Sequence, residues 1–152
     1  MKLVIDSFNN EYAFLSNFYE APVEWEGITY PSNEHAFQAA KSLNPARRLE
    51  VAAADTPGKA KRMGRNLQLR SDWEEVKYDI MHEIVLAKFH QHTDLAEALL
   101  DTGDAELIEG NWWNDTTWGV CNGIGKNWLG KILMKVREQL KFEINLEKDI
   151  NS

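Results

Sequence analysis

The chain is organised around residues 109–130, which read Glu109-Gly-Asn-Trp-Trp-Asn-Asp-Thr-Thr-Trp-Gly-Val-Cys-Asn-Gly-Ile-Gly-Lys-Asn-Trp-Leu-Gly130. This segment holds Trp112, Trp113, Trp118 and Trp128 among the six tryptophans of the chain. Each buried tryptophan removes roughly 150–250 Å² from water, whereas glycine and asparagine favour turns and positive φ rather than a regular helix. The composition therefore predicts a rigid, irregular wall of aromatic faces, backbone amides and one carboxylate, Asp115. Such a wall suits a pocket for a planar, polar ligand such as a base or nucleotide; the alternative is an aromatic core cluster under a long connection.

The composition excludes several classes of protein. The length of 152 residues predicts one domain, and the net charge of -7 argues against nonspecific binding to nucleic acid backbones. A single cysteine, Cys121, excludes an internal disulfide and fits a reducing cytosol. We expect no membrane span, because no apolar run approaches ~20 residues, and the polar N-terminus does not resemble a signal peptide. The common metal, phosphate and serine-nucleophile motifs are absent, so we expect no metal and no cofactor.

The hydrophobic pattern predicts mostly helices with a few short strands. Residues 23–30 alternate around Glu26-Gly27, which is typical of a β-hairpin. Helices are expected at about 72–91, 94–101 and 127–141, with a shorter helix at about 47–54, and short strands at 3–5 and 106–109. Residues 11–19 have poor periodicity and predict a loop anchored by its aromatic side chains. In this loop the side chains of Ser16 and Asn17 are expected to point away from the anchoring aromatic residues. An equal alternative is that Asn17 only closes a turn. The tail, 142–152, is expected to be partly frayed.

A helix that begins after Ser32 aligns three functional groups of different type. Ser32 is a good N-cap, and Glu34 falls in the first turn near the positive end of the helix dipole. Glu34, Gln38 and Lys41 are spaced i, i+4 and i+7, so they share one face. This face is either a solvated surface or part of a catalytic site.

A basic cluster follows the next helix start, where Thr56 caps and Pro57 occupies the first position. The cations are Lys59, Lys61, Arg62 and Arg65. Amides and cations that converge at a helix N-terminus are suited to a phosphate group. A solvated basic face that balances nearby acids is the alternative.

Five segments together resemble the YbiA-like, or NADAR, domain family. They are Leu15-Ser-Asn-Phe18, Tyr30-Pro-Ser-Asn-Glu-His-Ala-Phe-Gln-Ala-Ala-Lys41, Thr56-Pro-Gly-Lys-Ala-Lys-Arg-Met-Gly-Arg65, Glu109-Gly-Asn-Trp-Trp-Asn-Asp115 with Trp118-Gly119, and Asn127-Trp-Leu-Gly-Lys-Ile-Leu-Met-Lys-Val-Arg137. None of these segments is very specific alone. Five segments in the same order and with suitable gaps make the resemblance specific. The resemblance implies an α+β fold that is mainly α-helical, with a small β element, in a single compact domain spanning residues 1–152 with its core at about 8–140.

The resemblance also implies N-glycosidase chemistry. Some members of the family are similar to enzymes that hydrolyse ribosylamino-pyrimidine phosphates of the early riboflavin pathway. Others resemble hydrolases that remove ADP-ribose from guanine. The expected partner is therefore a small phosphoribosylated substrate or, as the alternative, ADP-ribosylated guanine in nucleic acid, and the expected location is the cytoplasm. A catalytically silent module that binds ADP-ribose or a nucleotide is a third interpretation.

Roles can be assigned to residues against that chemistry. Breaking a C1–N bond builds positive charge on the ribose, which a carboxylate stabilises while a second group protonates the leaving nitrogen or activates water. Glu34 and Asp115 are the candidate carboxylates, and Lys41 is a candidate Schiff-base nucleophile. The candidate substrate-binding residues are Ser16 and Asn17 for ribose or base edges, Trp113 and Trp118 for stacking together with the adjacent Gly119, and Lys59 and Arg65 for the phosphate.

Overall fold

The structure, a computed structural model, describes residues 3–151. Its strands are β1 (Val4–Ile5), β2 (Val23–Trp25), β3 (Ile28–Tyr30) and β4 (Glu106–Leu107), and its helices are α1 (Asn33–Ala39), α2 (Pro45–Ala52), α3 (Pro57–Gly64), α4 (Trp73–Gln91), α5 (Thr93–Asp101) and α6 (Trp128–Asn151), with a 3₁₀ helix at Asn10–Leu15. The predicted α+β, mainly helical fold is confirmed. Within residues 3–151, no helix combines the length and apolar character needed to span a bilayer.

The chain divides into two compact units, one containing the described residues of Met1–Ser16 and His92–Ser152, and the other Asn17–Gln91. Below they are called the terminal unit and the central unit. The prediction of one domain over residues 1–152 stays a prediction.

The central unit begins with the predicted hairpin. Strands β2 and β3 pair antiparallel with Val23 opposite Tyr30 and Trp25 opposite Ile28. Glu26 and Gly27 both have positive φ, +48° and +84°, as the tight turn of a two-residue hairpin requires. The inward side chains Val23 and Tyr30 are fully buried, so the hairpin contributes one apolar face to the core of this unit.

Four helices complete the central unit, and α1 packs against α2, α3 and α4. The predicted caps are present: the Ser32 hydroxyl accepts from the His35 amide at 3.2 Å, and the Thr56 hydroxyl accepts from the Lys59 amide at 3.1 Å. The side chains of α1 are buried on all sides, because neighbours surround it. Helix α1 ends at Ala39, so Lys41 lies in the turn that follows rather than on the helix face where the spacing placed it.

The terminal unit joins the two ends of the chain. Strand β1 pairs in parallel with β4, with Val4 opposite Glu106 and Ile5 opposite Leu107, and α6 packs against both α5 and β4. Gly130 permits the close approach of α6, because a Cβ at this position would lie 2.1 Å from the carbonyl oxygen of Leu107. The core stripe of α6 includes Ile132, Leu133 and Val136.

Two boundaries in the terminal unit differ from the sequence prediction. The predicted loop at 11–19 contains the 3₁₀ helix Asn10–Leu15, which ends where the Ser16 amide donates to the carbonyl of Ala13 at 3.0 Å. Short 3₁₀ turns carry no 3.6-residue period, so the apolar pattern did not reveal it. The tail expected to fray from residue 142 is instead helical, and α6 continues to Asn151 with mostly exposed side chains. Ser152 lies outside the described residues.

Candidate active site

Glu34 is the buried carboxylate of α1, with 8% of its surface exposed. Its backbone amide donates to the carbonyl of Asn17 at 2.9 Å. Its Oε2 accepts from Nε2 of Gln38, one helical turn later, at 3.0 Å. A buried carboxylate needs hydrogen bonds to remain ionised, and the i, i+4 spacing supplies one within the same helix. The structure thus favours a held, buried acid over the solvated face that was the alternative interpretation.

Lys41 is half-buried just after α1, and its surroundings lower the pKa of its amine. Burial lowers the pKa of Lys41 from its ordinary value; the charge of Glu34 opposes this effect, and the charges of Arg65 and Lys61 add to it. Two cations and one carboxylate therefore act on this amine. Such surroundings are one way in which enzymes make a lysine nucleophilic near neutral pH. We call Glu34, Gln38, Lys41, Lys61 and Arg65 the α1 cluster.

Asn17 contacts the α1 cluster through its backbone carbonyl, which accepts from the Glu34 amide. It is 8% exposed. Its Oδ1 accepts from Nδ2 of Asn33 at 3.4 Å, and its Nδ2 points to the sulfur of Met81 at 3.4 Å. Next to it, the ring of Phe18 lies 5.8 Å from the Lys61 ammonium. The Asn17 carbonyl therefore binds the start of α1 next to the candidate acid, and the predicted contact of Asn17 with ribose or a base edge stays a prediction.

The basic cluster separates into two parts. Lys59 pairs with Asp55 at 3.8 Å across one turn, and both side chains are largely exposed. Its amide is already bound by Thr56. Arg65, at the other end of α3, is exposed and is one of the charges that act on Lys41. The charges of Arg65 and Lys61 thus act on the amine of Lys41, whereas Lys59 has an acidic partner of its own.

In the terminal unit, Asp115 is held inside the tryptophan-rich segment by backbone hydrogen bonds. Its Oδ1 accepts from the amides of Thr117 at 3.1 Å and Trp118 at 2.9 Å. Its own amide donates to Oδ1 of Asn111 at 3.0 Å, and its carbonyl accepts from Nδ2 of Asn111 at 2.9 Å. Oδ1 of Asp115 therefore stabilises a turn, so at least one of its two carboxylate oxygens has a structural role.

The same segment is irregular and tightly held. Asn114, Asn122 and Asn127 have positive φ, as the composition predicted. Asn127 connects two backbone groups: its Oδ1 accepts from the Glu109 amide at 3.0 Å and its Nδ2 donates to the Leu107 carbonyl at 2.9 Å. The carbonyls of residues 116–118 accept from the amides of residues 126, 128 and 129. The segment therefore satisfies the free amides at the start of α6.

The aromatic candidates form two edge-to-face pairs. Trp112 and Trp113 lie 5.6 Å apart at 84°, and Trp118 and Trp128 lie 5.5 Å apart at 79°. Trp113 is 47% exposed and Trp112 86%, so the first pair presents aromatic surface, whereas Trp118 is half-buried.

The remaining two candidates of this unit have identifiable backbone roles. A Cβ at Gly119 would lie 1.7 Å from the Glu109 carboxylate and 2.1 Å from its carbonyl oxygen, so only glycine fits there. Ser16 caps the 3₁₀ helix through its backbone.

The candidates thus fall into two groups. Glu34, Lys41, Arg65 and Asn17 come together in the central unit, and Asp115, Trp118 and Gly119 share one segment of the terminal unit. Sequence reasoning placed Gln38 on the right face but did not identify it as the donor to Glu34.

Sequence reasoning also missed Lys88, in the last turn of α4, which is only 1% exposed. Its ammonium lies 5.5 Å from the Tyr19 ring and 5.3 Å from the Phe89 ring, and burial lowers the pKa of Lys88 to about 7. The amphipathic pattern of α4 gives no signal for a buried lysine.

Comparison with known proteins identifies the family of the chain. The model of the NADAR domain matches residues 5–141, so the chain belongs to the NADAR domain family. It is 44% identical over 140 residues to the N-glycosidase YbiA of Shigella flexneri, covering 90% of this chain and 87% of that protein. A riboflavin biosynthesis protein of Vibrio vulnificus is 40% identical over 136 residues, which make up 88% of this chain but 37% of that protein.

A solved structure extends the comparison to three dimensions. The NMR structure of Escherichia coli YbiA superposes with a TM-score of 0.83 at 42% identity, covering 94% of this chain and 88% of that one. Together these relatives support the enzyme class predicted from the sequence, a hydrolase that acts on N-glycosyl bonds.

Proposed function

We propose that this N-glycosidase cleaves the C1–N bond between a phosphorylated ribose and a heterocyclic amine, in a small molecule of the ribosylamino-pyrimidine phosphate class. The observation that carries the proposal is the α1 cluster, in which a buried carboxylate, an amine with a lowered pKa and two further cations act on one another. The name of the Vibrio vulnificus relative, a riboflavin biosynthesis protein, supports the same substrate class.

Glu34 supplies the carboxylate of the reaction. As the C1–N bond breaks, positive charge develops on the ribose, and a nearby buried carboxylate stabilises it more strongly than water does. Gln38 donates to its Oε2, and we assign this carboxylate to the substrate or to the attacking water. The low exposure of Glu34 limits competition from bulk solvent.

Lys41 offers a covalent route for ribosylamines. Such a sugar opens to an imine, and the neutral Lys41 amine then adds to C1. Transfer of a proton to the leaving nitrogen expels the heterocyclic amine and leaves a Schiff base between Lys41 and C1. Water adds to this Schiff base and releases the free ribose phosphate together with the lysine amine. The burial and the cations that lower the pKa of Lys41 act in the direction that the first step needs.

Arg65 is the proposed phosphate ligand, because its charge acts on the same amine and its guanidinium is well matched to phosphate oxygens. Lys59 remains a second, weaker proposal, since Asp55 already neutralises it. The roles proposed for Ser16, Asn17, Trp113, Trp118, Gly119 and Asp115 rest on the resemblance. We also propose a cytoplasmic location, which the single cysteine favours.

Product analysis by mass spectrometry tests the proposal. The wild type, Lys41→Ala and the control Lys131→Ala, which alters an exposed lysine of α6, are incubated with a ribosylamino-pyrimidine phosphate and, separately, with ADP-ribosylated guanosine. We expect ribose 5-phosphate from the first substrate with the wild type and the control. Borohydride should trap a sugar on Lys41 and no adduct in Lys41→Ala.

Each other result has a defined meaning. Release of ADP-ribose from the second substrate alone would replace the small-molecule class by ADP-ribosyl-guanine hydrolysis. If neither substrate is cleaved, the protein is better described as a binding module for ADP-ribose or a nucleotide. Full turnover by Lys41→Ala would exclude the Schiff-base route and leave Glu34 as the catalytic group.

A further inference from the structure

Gln38 and Glu34 form a buried pair on α1. Gln38 is 5% exposed and Glu34 is 8% exposed, and the amide nitrogen of Gln38 donates to Oε2 of Glu34 at 3.0 Å. Among the described residues, the amide oxygen of Gln38 is buried without a hydrogen-bond partner. An unsatisfied buried acceptor lowers stability, so an apolar side chain of the same length would suit the fold better. The donor to Glu34 is therefore the feature that explains a glutamine at this position.

Gly64, the last residue of α3, provides the space for this amide. A Cβ at position 64 would lie 1.8 Å from Oε1 of Gln38, 2.7 Å from its Cδ and 3.1 Å from its Cβ. Gly64 is not among the glycines with positive φ, so its backbone conformation does not require glycine. Alanine is favoured over glycine inside a helix, so the glycine is explained by the Gln38 side chain that packs on it.

We infer that Gln38 is the positioning residue of Glu34, and that Gly64 holds Gln38 in place by leaving room for its amide. The inference deepens the proposed function and rests on it for the role of Glu34. A fixed donor on Oε2 restricts rotation of the carboxylate and holds it in one orientation. Small displacements of a catalytic group lower reaction rates strongly. The contact of Gly64 in α3 with Gln38 in α1 therefore affects the reaction rate through the position of Glu34.

Gly64→Ala tests this contact with little change in the fold. The new methyl group collides with the amide end of Gln38 and also comes within 3.1 Å of its Cβ, so the amide has to move and loses its bond to Glu34. We expect kcat to fall roughly 10- to 100-fold, with little change in KM because substrate contacts are intact. Gly58→Ala is the matched control in the same helix, since a Cβ there would have its nearest neighbours at 3.9 Å. Both variants gain the same helical preference, and only Gly64→Ala should lose activity.

A double-mutant cycle separates positioning from an unrelated structural effect. Gln38→Ala removes the donor and should lower kcat as much as Gly64→Ala does. In the double variant the second change has nothing left to displace, so the two losses should not multiply. Multiplied losses would overturn the inference, as would full kcat in a folded Gly64→Ala.

A measurement without substrate keeps this inference distinct from the proposed function. The side-chain amide signals of Gln38 in a ¹H–¹⁵N NMR spectrum should move in Glu34→Ala and in Gly64→Ala, and stay in place in Gly58→Ala. If the wild type cleaves neither substrate but the signals behave in this way, the proposed reaction fails while the Gln38 contact stands. Unchanged Gln38 signals in Gly64→Ala overturn the inference whatever the substrate is.

Discussion

Replacing Lys88 by methionine is expected to stabilise the protein at neutral pH and to reduce the rise of its stability towards alkaline pH. Lys88 is 1% exposed, and burial lowers its pKa in the folded state from 10.5 to about 7. Between these two values the unfolded chain holds a proton that the folded chain has released. The free energy of unfolding therefore increases with pH across this window, by at most about 1.4 kcal/mol per pH unit.

The magnitude follows from the same two pKa values. Below about pH 7 both states are protonated, and the folded state bears the full penalty of a buried ammonium, while above pH 10.5 both are neutral and the penalty is gone. At about 1.4 kcal/mol per pKa unit, the penalty has an upper limit near 5 kcal/mol. Methionine keeps the unbranched stem but loses the ammonium–ring contacts with Tyr19 and Phe89, which offset roughly 1–2 kcal/mol. We therefore expect a net gain of at most about 3–4 kcal/mol at pH 7.

Urea unfolding at several values between pH 6.5 and pH 10 measures this effect. Lys131→Met is the control, because Lys131 is exposed on α6. Burial also lowers the pKa of Lys41, so some rise with pH should persist in every variant, and the difference between Lys88→Met and the wild type isolates Lys88. If the two proteins show the same slope from pH 7 to pH 10, Lys88 is charged in the folded state and the reasoning is refuted.

Three further predictions concern the two groups of candidate residues. Burial lowers the pKa of Lys41. For a substrate that is cleaved, kcat/KM should therefore increase with pH through an inflection below the ordinary pKa of lysine. A kcat/KM that increases only near pH 10.5 would contradict the covalent route. Asp115→Ala should lower the free energy of unfolding in urea by about 1–2 kcal/mol, because the turn acceptor for two amides is removed. Asp115→Asn keeps an acceptor oxygen and should lower it less. Equal losses in the two variants would argue against the turn role. Gly130→Ala should lower the free energy of unfolding by about 2 kcal/mol or more, because the new Cβ meets the Leu107 carbonyl. Gly123 has open space around it but a φ of +77°. Gly123→Ala should therefore lower the free energy of unfolding by roughly 1 kcal/mol in the same thermal or urea assay.

Local signals in the sequence predicted the features whose causes are local. Ser32 and Thr56 cap their helices as expected, because a cap depends on a side chain and an amide three residues later. Glu26-Gly27 forms the hairpin turn for a similar reason. The i, i+4 spacing of Glu34 and Gln38 also anticipated that the two share a face, and the structure adds the hydrogen bond between them.

Features that depend on packing between distant elements were not predictable from the sequence. Glycine is required at position 64 because the Gln38 side chain of another helix packs there. The sequence of α3 alone does not indicate this requirement. Lys88 carries a charge that normally indicates an exposed position, yet the surrounding elements bury it. The carboxylate of Asp115 has the chemistry of a catalytic acid, and only the three-dimensional structure shows that one of its oxygens forms a turn.

The pairing of β1 with β4 has a consequence for the order in which the chain folds. The central unit is continuous in sequence, Asn17–Gln91, so all of its partners have been synthesised before α6 is made. The terminal unit needs Val4 and Ile5 to find Glu106 and Leu107, which closes a loop of roughly 100 residues and is slow for entropic reasons. During synthesis, the N-terminal strand therefore waits unpaired until the last third of the chain has emerged. The parallel ladder and the docking of α6 on β4 are accordingly expected to form late in folding.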